Sequence, residues 1–574
     1  MIYLLGVTWC ALSVLLWFKR LFYHRGTQRY SQRFIETLII VSCFATTGFS
    51  QSADQRETAL LKIAAREYHP TFSAVAAKLL TNVDTAIAYE QLDTLLEKEY
   101  GDMFWMTGCA GLYFSCKEIL PEHYKAQIRE CWKHFTPYRG DTDNHFLMYY
   151  GSLLLFAEEW DSLSASEWFM GRSSQEIRAE SKEWIEYWLH ESMKYGQSEF
   201  DSPRYLYYYI TPLLLLSEYS KDSVIAKDCS TMLTLMLAEY ASLYTGNSYA
   251  GAHSRQSNDA ALSGTSAECT AYGEYFFEDS VTHILPDLAF AAATQYEVSP
   301  LIRSMAHERK KPYENFQIER TRRRIRNEKP AIKPVRKYTY VTNAYSLGSI
   351  EGGIVNPIQQ QSWSLVLNSR QRYNTITGLH PYYSATELGT FFPEEPSFML
   401  EKIEGVKTGY ISADKFVGGS PYETIWQRKN QIRCSYAIPE DAQHCHVDIF
   451  IPDWGNIVEC DSTVWHQVTM LFGKVQILLN TETDFSLTTV QGGYRLRLKL
   501  DSGRTSYWLV AKRIGALNED RDPYMFSGDG VYKSRETKWR IRSPFLNLKY
   551  GSTSFKLSDG KNEETYSLSA QKRK

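Results

Sequence analysis

Asp141-Thr-Asp-Asn-His-Phe-Leu-Met-Tyr-Tyr-Gly151 is a run of short polar side chains that gives way to an apolar helix. Oxygen-bearing side chains at a helix entrance accept a hydrogen bond from an otherwise orphaned backbone N–H, so Asp141, Thr142, Asp143 or Asn144 can serve as the cap, with Asn144 and His145 at the mouth. The same pattern recurs on both sides. From about Gln55 to Thr294, apolar residues return at three- and four-residue steps between turn signals. The spacing predicts helices over Glu57 to Glu67, Ser73 to Leu80, Tyr89 to Glu99, His123 to Phe135, Phe146 to Glu159, Ser174 to Tyr195, Arg204 to Tyr219 and Ser223 to Tyr244. Asp102 to Cys116 and Asp287 to Thr294 add two more. Each helix must bury one apolar face, and successive antiparallel hairpins do so as a bundle, a solenoid or a closed toroid. No fixed-period repeat is visible, which argues against tetratricopeptide-type arrays.

Beyond this helical part the grammar changes. Residues 299–337 are basic and contain proline, as a linker or a transition between domains would be. From Tyr338 onward the pattern has period two, as in Trp363-Ser-Leu-Val-Leu367, Gln431-Ile-Arg-Cys-Ser-Tyr436, His446-Val-Asp-Ile-Phe-Ile451 and Tyr494-Arg-Leu-Arg-Leu-Lys-Leu500. Many short strands between turn signals predict an antiparallel β-sandwich over residues 338–574, following a helical domain over residues 51–298.

The N-terminal 50 residues stand apart. Ile2 to Phe18 is apolar, a basic segment follows, and a second apolar run from Leu38 to Phe49 ends in Gly48-Phe-Ser-Gln51. These features predict a secretory signal cleaved near Ser50, with the first run either an upstream extension or a membrane anchor. Ile40-Val-Ser-Cys43 also resembles a lipoprotein cleavage box. Each reading places the remainder outside the cytoplasm, periplasmic or secreted. Net charge is 63 − 66 = −3, so no global basic field points to nucleic acid, and the run Arg320-Thr-Arg-Arg-Arg-Ile-Arg326 reads as a solvated local stretch. None of the 10 cysteines forms a CxxC pair, which argues against a zinc ribbon or redox motif and leaves disulfides or buried thiols open. Aromatic residues make up 14% of the chain, and such an excess serves either packing or sugar-binding clefts.

Two later segments are candidate partners of the opening stretch. In Asp201-Ser-Pro-Arg-Tyr205, Pro203 fits a first helical turn and Asp201 or Ser202 a cap, placing Tyr205, Tyr208 and Tyr209 on neighbouring faces. Tyr249-Ala-Gly-Ala-His-Ser-Arg255 is a loop in which Gly251 permits close backbone approach while His253 and Arg255 share one side. Each residue has a plainer reading: Asn144 as a cap, His145 as a packed imidazole, the tyrosines as interhelical packing. A structural divalent cation could sit at His444-Cys-His446 with Asp448, although two histidines on one strand face more commonly serve packing.

The order of an Asn-His helix mouth, an Asp-Ser-Pro-x-Tyr helix start, a Gly-x-His-x-Arg loop and a β-rich domain resembles the polysaccharide lyases built from an α/α-toroid and a C-terminal β-sandwich, the heparinase, chondroitin lyase and alginate lyase type. The resemblance implies β-elimination at a uronic acid in an acidic polysaccharide, with no cofactor required. That reaction needs donors to neutralise the carboxylate, a base for the C5 proton and an acid for the leaving oxygen. By the resemblance, Asn144 and Arg255 would neutralise the carboxylate, His253 or His145 would take the proton, and Tyr205 would protonate the leaving oxygen. Arg204, Tyr208, Tyr209, Tyr249 and His380 complete the expected substrate-binding set. Two alternatives stand beside this reading. An inverting glycoside hydrolase on a similar toroid would use a carboxylate pair drawn from Asp141, Asp143, Asp201, Glu274 and Glu278; a non-catalytic envelope protein would bind carbohydrate through its aromatics.

Overall fold

Thr142 is the cap of the opening stretch. Its side-chain oxygen accepts a hydrogen bond from the His145 N–H at 3.3 Å, and a helix runs over Asp143–Glu159. The computed structural model describes residues 53–66, 68–97, 100–134, 136–140, 142–168, 171–320, 334–355, 359–382, 412–461, 466–500, 503–515 and 538–570. The proposed leader over residues 1–50, Asp141, Tyr383 and the basic residues 321–326 lie outside these. The helical and β parts belong to one compact unit, Gln51–Lys574.

The helices in chain order are α1 (Ala53–Ala64), α2 (Phe72–Thr81), α3 (Thr85–Leu96), α4 (Met103–Cys116), α5 (Glu122–His134), α6 (Asp143–Glu159), α7 (Ser174–Tyr195), α8 (Tyr207–Tyr219), α9 (Ser223–Leu243), α10 (Asn258–Leu262), α11 (Cys269–Phe277), α12 (Leu288–Ala293) and α13 (Pro300–His307). Their starts follow local chemistry. Asp102 Oδ1 accepts from the Phe104 and Trp105 N–H groups at 3.0 and 3.1 Å to open α4, and Ser173 forms a capping box with Glu176 to open α7. Ala53, Thr85 and Asp143 open their helices three or four residues before the predicted starts, and one start falls later. The predicted helix from Arg204 begins only at Tyr207, because residues 201–206 form turns and Asp201 takes a left-handed backbone with φ 45°. Asp201 is therefore not a helix cap.

Helix α6 packs against α4, α7 and α8; α2 packs on α4, and α12 touches α1, α2, α4 and α8. Trp132, wholly buried, lies 4.3 Å from Phe156 and 6.3 Å from Trp105 and Trp168, so much of the aromatic excess fills this interior. The described cysteines Cys109, Cys116, Cys131, Cys229, Cys269, Cys434 and Cys445 are free thiols.

A short parallel pair, β1 (Tyr100–Asp102) and β2 (Thr136–Tyr138), leads into α4 and α6. The remaining strands are β3 (Tyr313–Arg320), β4 (Pro334–Val341), β5 (Tyr345–Ile350), β6 (Trp363–Leu367), β7 (Thr375–Leu379), β8 (Glu423–Arg428), β9 (Gln431–Ala437), β10 (Val447–Pro452), β11 (Asn456–Asp461), β12 (His466–Phe472), β13 (Val475–Thr481), β14 (Phe485–Val490), β15 (Gly493–Leu498), β16 (Arg504–Arg513), β17 (Trp539–Arg542), β18 (Leu546–Lys549), β19 (Ser554–Ser558) and β20 (Glu563–Ser567). The chain is thus helices first and antiparallel sheets after. Residues 299–337, read as a linker or transition, include α13, β3 and the start of β4.

Among the described residues, one sheet has 12 strands in the order β14-β15-β10-β7-β6-β5-β4-β3-β17-β18-β19-β20, and another has six in the order β11-β12-β13-β16-β9-β8. Leu347, Trp363, Leu365, Ile449 and Leu496 of the large sheet share a core with Ile432, Met470, Ile477 and Leu509 of the smaller one. At its other end the large sheet covers helices instead, where Ile541, Leu548, Phe555 and Leu557 join the helical core. This double duty sets the middle strands of the large sheet beside the loops of the helical part. Among the described residues, no helix is long and apolar enough to cross a membrane.

Candidate functional site

The pairing of β1 with β2 sets Asp102 opposite Tyr138, which brings the N-terminal ends of α4 and α6 together. Phe104, on α4, meets the His145 imidazole edge-on at 5.4 Å and the Tyr208 ring at 4.8 Å. Gly140, with φ +71°, lies so close to the His145 ring that a Cβ there would collide with it. Asn144 is fully buried; its Oδ1 accepts from the Thr142 hydroxyl, while its Nδ2 has no hydrogen-bond partner among the described residues.

The loop carrying His253 and Arg255 is held from two sides. Ser254 donates from N–H and Oγ to the Phe200 carbonyl at 3.2 and 3.0 Å. On the β side, His253 and Gln361 exchange backbone hydrogen bonds of 3.0 and 2.9 Å, and the Gln256 N–H donates to the Gln359 carbonyl at 2.8 Å. Gly251, at φ +110°, allows the loop to press on β5, where a Cβ on Gly348 would stand 2.6 Å from the Gly251 Cα.

Around this loop the charges are paired. The Arg255 guanidinium lies 3.8 Å from the centre of the Tyr205 ring, a cation–π stack, and donates through Nε to Gln359 Oε1 at 2.8 Å. Its NH1 pairs with Glu199 Oε1, and Tyr209 donates to Glu199 Oε2 at 2.8 Å. Gln359 Nε2 reaches the Tyr205 hydroxyl at 3.4 Å. Arg255 thus differs from the free cation expected at the carboxylate. Both it and Glu199 are buried, and an uncompensated buried charge costs several kcal/mol, on the order of 3–5 when one partner is removed.

His253 is 2% exposed, and its Nδ1 lies 2.5 Å from the Asp201 carbonyl oxygen. A carbonyl only accepts, so Nδ1 carries the proton and Nε2 the lone pair. Burial lowers the imidazole pKa to about 3, which keeps it neutral. The Asp201 side chain is held on both oxygens: Tyr249 donates to Oδ1 at 2.5 Å, and Lys337 Nζ, from β4, pairs with Oδ2. Burial pushes the Tyr249 and Tyr209 hydroxyls well above the ordinary phenol range, so both act as donors.

The structure therefore joins Tyr205, Tyr209 and Arg255 in one network and His253 and Tyr249 in an adjoining one, linked because the Ser202 hydroxyl donates to the Arg255 carbonyl at 2.6 Å. Asn144 and His145 stand at the α6 mouth, which connects through Phe104 to Tyr208, 6.0 Å from Tyr205. Burial raises the Tyr208 hydroxyl to about 12. Arg204 is exposed at the rim, 3.7 Å from Glu268. His380 is engaged inside the β part, where Nδ1 lies 3.0 Å from Ser420 Oγ and Nε2 donates to the His444 carbonyl at 2.7 Å; burial lowers its pKa to about 4. Sequence reasoning missed Phe104, Glu199, Lys337 and Gln359, and read Asp201 as one of two alternative caps or as a hydrolase carboxylate. A lysine one residue before the predicted strand at Tyr338 was the available signal for Lys337.

Of the carboxylates considered for hydrolysis, Asp143, Asp201 and Glu274 are occupied, and Asp141 lies outside the described residues. Asp143 accepts from Ser198 Oγ at 3.0 Å and pairs with Arg320 at 2.5 Å. Glu274 is buried, which would raise its pKa, yet hydrogen bonds from His283 and Thr282 outweigh burial and bring it to about 2. At the proposed cation site, Asp448 is bound by Arg497 at 2.7 and 2.8 Å, and His446 Nε2 lies 3.1 Å from the Ala413 carbonyl. Among the described residues, no group of three or more ligating side chains could hold a metal ion. No family model matches the chain, and no curated protein matches it either.

Proposed function

We propose that this protein is a polysaccharide lyase that cleaves a uronic-acid-containing polymer by β-elimination. The observation that carries the reading is His253, a buried imidazole kept neutral with its proton on Nδ1, in a loop that also stacks Arg255 on Tyr205. Nε2 of His253 takes the C5 proton, the C4–O bond breaks as C4=C5 forms, and the Tyr205 hydroxyl protonates the departing oxygen. Asn144, with its unpartnered Nδ2, donates to the substrate carboxylate. Arg255, paired with Glu199, orients Tyr205. The contacts of α12 with α1, α2, α4 and α8 support a helical toroid, and the two sheets sharing one core support a β-sandwich. The apolar runs before residue 51 support export, periplasmic or secreted.

Incubation with glucuronan, alginate and glycosaminoglycans tests the reading: an unsaturated product absorbs in the ultraviolet, whereas hydrolysis yields none. Polymers of all these classes left intact by folded protein would overturn it. Tyr205→Phe keeps the ring under Arg255 and deletes only the acid. It is expected to lower kcat about a hundredfold, the low end for a general acid, with KM little changed. Steady-state rates on the responsive polymer check this.

A further inference from the structure

We infer that Asp201 and Lys337 are positioning residues that fix the tautomer of His253, so that the β part of the chain sets the orientation of the base. Asp201 is one of the few described non-glycine residues with positive φ, at 45°, a conformation that most side chains resist. It is held there from both sides. Lys337 is wholly buried on β4 and pairs with Oδ2, and Tyr249 donates to Oδ1 at 2.5 Å. With the side chain clamped and the backbone turned left-handed, the Asp201 carbonyl points at Nδ1 of His253, 2.5 Å away. That hydrogen bond selects the Nδ1–H form and leaves the lone pair on Nε2. The fit around Lys337 is close, since a Cβ on Gly251 would stand 3.1 Å from Lys337 Cε and 3.2 Å from Nζ. Neither Asp201 nor Lys337 needs to touch substrate.

The inference rests on the lyase reading only for its rate readout; the tautomer is measured without substrate. Full-length protein with ¹⁵N-labelled histidine, and the His253 signals assigned by their loss in His253→Gln, should show one neutral tautomer protonated at Nδ1. Asp201→Ala removes the clamp at a backbone conformation alanine disfavours, and Lys337→Met removes the amine while keeping length. Both are expected to mix the two tautomers and, on a polymer the wild type cleaves, to lower kcat about ten- to hundredfold with KM nearly constant, part of the ~10²–10⁴ a positioned base contributes. Asp201→Asn tolerates the left-handed backbone and keeps an acceptor for Tyr249, so it should retain the Nδ1–H form better than Asp201→Ala. A His253 spectrum unchanged in folded Asp201→Ala and Lys337→Met would overturn the inference, whatever the activity. If both misfold, Asp201→Asn with Lys337→Met, which buries no net charge, takes their place: mixed tautomers support the clamp, and a wild-type spectrum overturns it. If the wild type cleaves no polymer, the lyase reading fails alone and the tautomer still decides this one.

Discussion

His253→Gln is expected to lower turnover by about 10³- to 10⁴-fold while substrate affinity changes little, because it removes the group assigned to proton abstraction and leaves the walls of the site in place. Glutamine is the informative replacement. Its amide can still donate to the Asp201 carbonyl, so the fold should hold while the basic nitrogen disappears. Retention of a tenth or more of wild-type kcat in the folded variant would move the base to another residue, with His145 at the α6 mouth next in order. The pH profile gives a second reading. Burial holds the His253 pKa at about 3, far below the ordinary 6.5, so this group stays neutral at ordinary pH and should impose no acid limb near 6.5 on kcat/KM. An acid limb at the ordinary histidine value would assign proton abstraction elsewhere. The same shift has a sign for stability. The folded pKa lies below the unfolded one, so the contribution is full above pH 6.5 and is lost as pH falls from 6.5 toward about 3, where the unfolded chain binds a proton the folded chain refuses.

Local grammar was readable in this chain and distant pairing was not. Helix α7 coincides with its predicted span because Ser173 and Glu176 mark its start and the apolar period runs without interruption. Strand β9 was legible through its alternation, with Ile432, Cys434 and Tyr436 turned inward. Asn144, His145, Tyr205, His253 and Arg255 stand out as candidates because they lie beside turn signals, where polar side chains draw attention. Their counter-charges stayed hidden. Glu199 lies 56 residues from Arg255 and has an ordinary local context; Lys337 answers Asp201 only because a strand of the large sheet passes beside the turn before α8. Periodicity reports which face of an element is buried, and a buried ion pair between separate elements leaves no period behind.

That limit is sharpest at Arg540, whose partners no sequence pattern could name. Its side chain is wholly buried on β17, where NH1 pairs with Glu239 of α9 at 2.5 Å, 301 residues away, and NH2 reaches Glu319 of β3 at 3.2 Å. Glu319 in turn accepts from the Gln197 N–H at 2.8 Å, and the following residues include Glu199 and Asp201. The triad thus ties helical core, sheet and site loop together. Arg540→Met keeps the volume and leaves two buried carboxylates facing each other, so it is expected to lower unfolding stability by about 3–5 kcal/mol, read from urea midpoints. Burial already pushes the Glu319 carboxyl above the ordinary glutamate range, against the pull of Arg540. A folded pKa raised in this way gives stability that is full below the unfolded value and is lost as pH rises through the folded one. Without Arg540 that pKa rises further, so the deficit of the variant should be larger at about pH 8 than at about pH 5, where protonation relieves the repulsion. Adding Glu239→Met and Glu319→Gln removes both charges, while the amide oxygen introduced on β3 can still accept from the Gln197 N–H, and should recover most of the loss. A deficit under about 1 kcal/mol, or one equal at both pH values, would show that the triad is not a buried charge cluster in solution, and the coupling of β17 to the site loop would go with it.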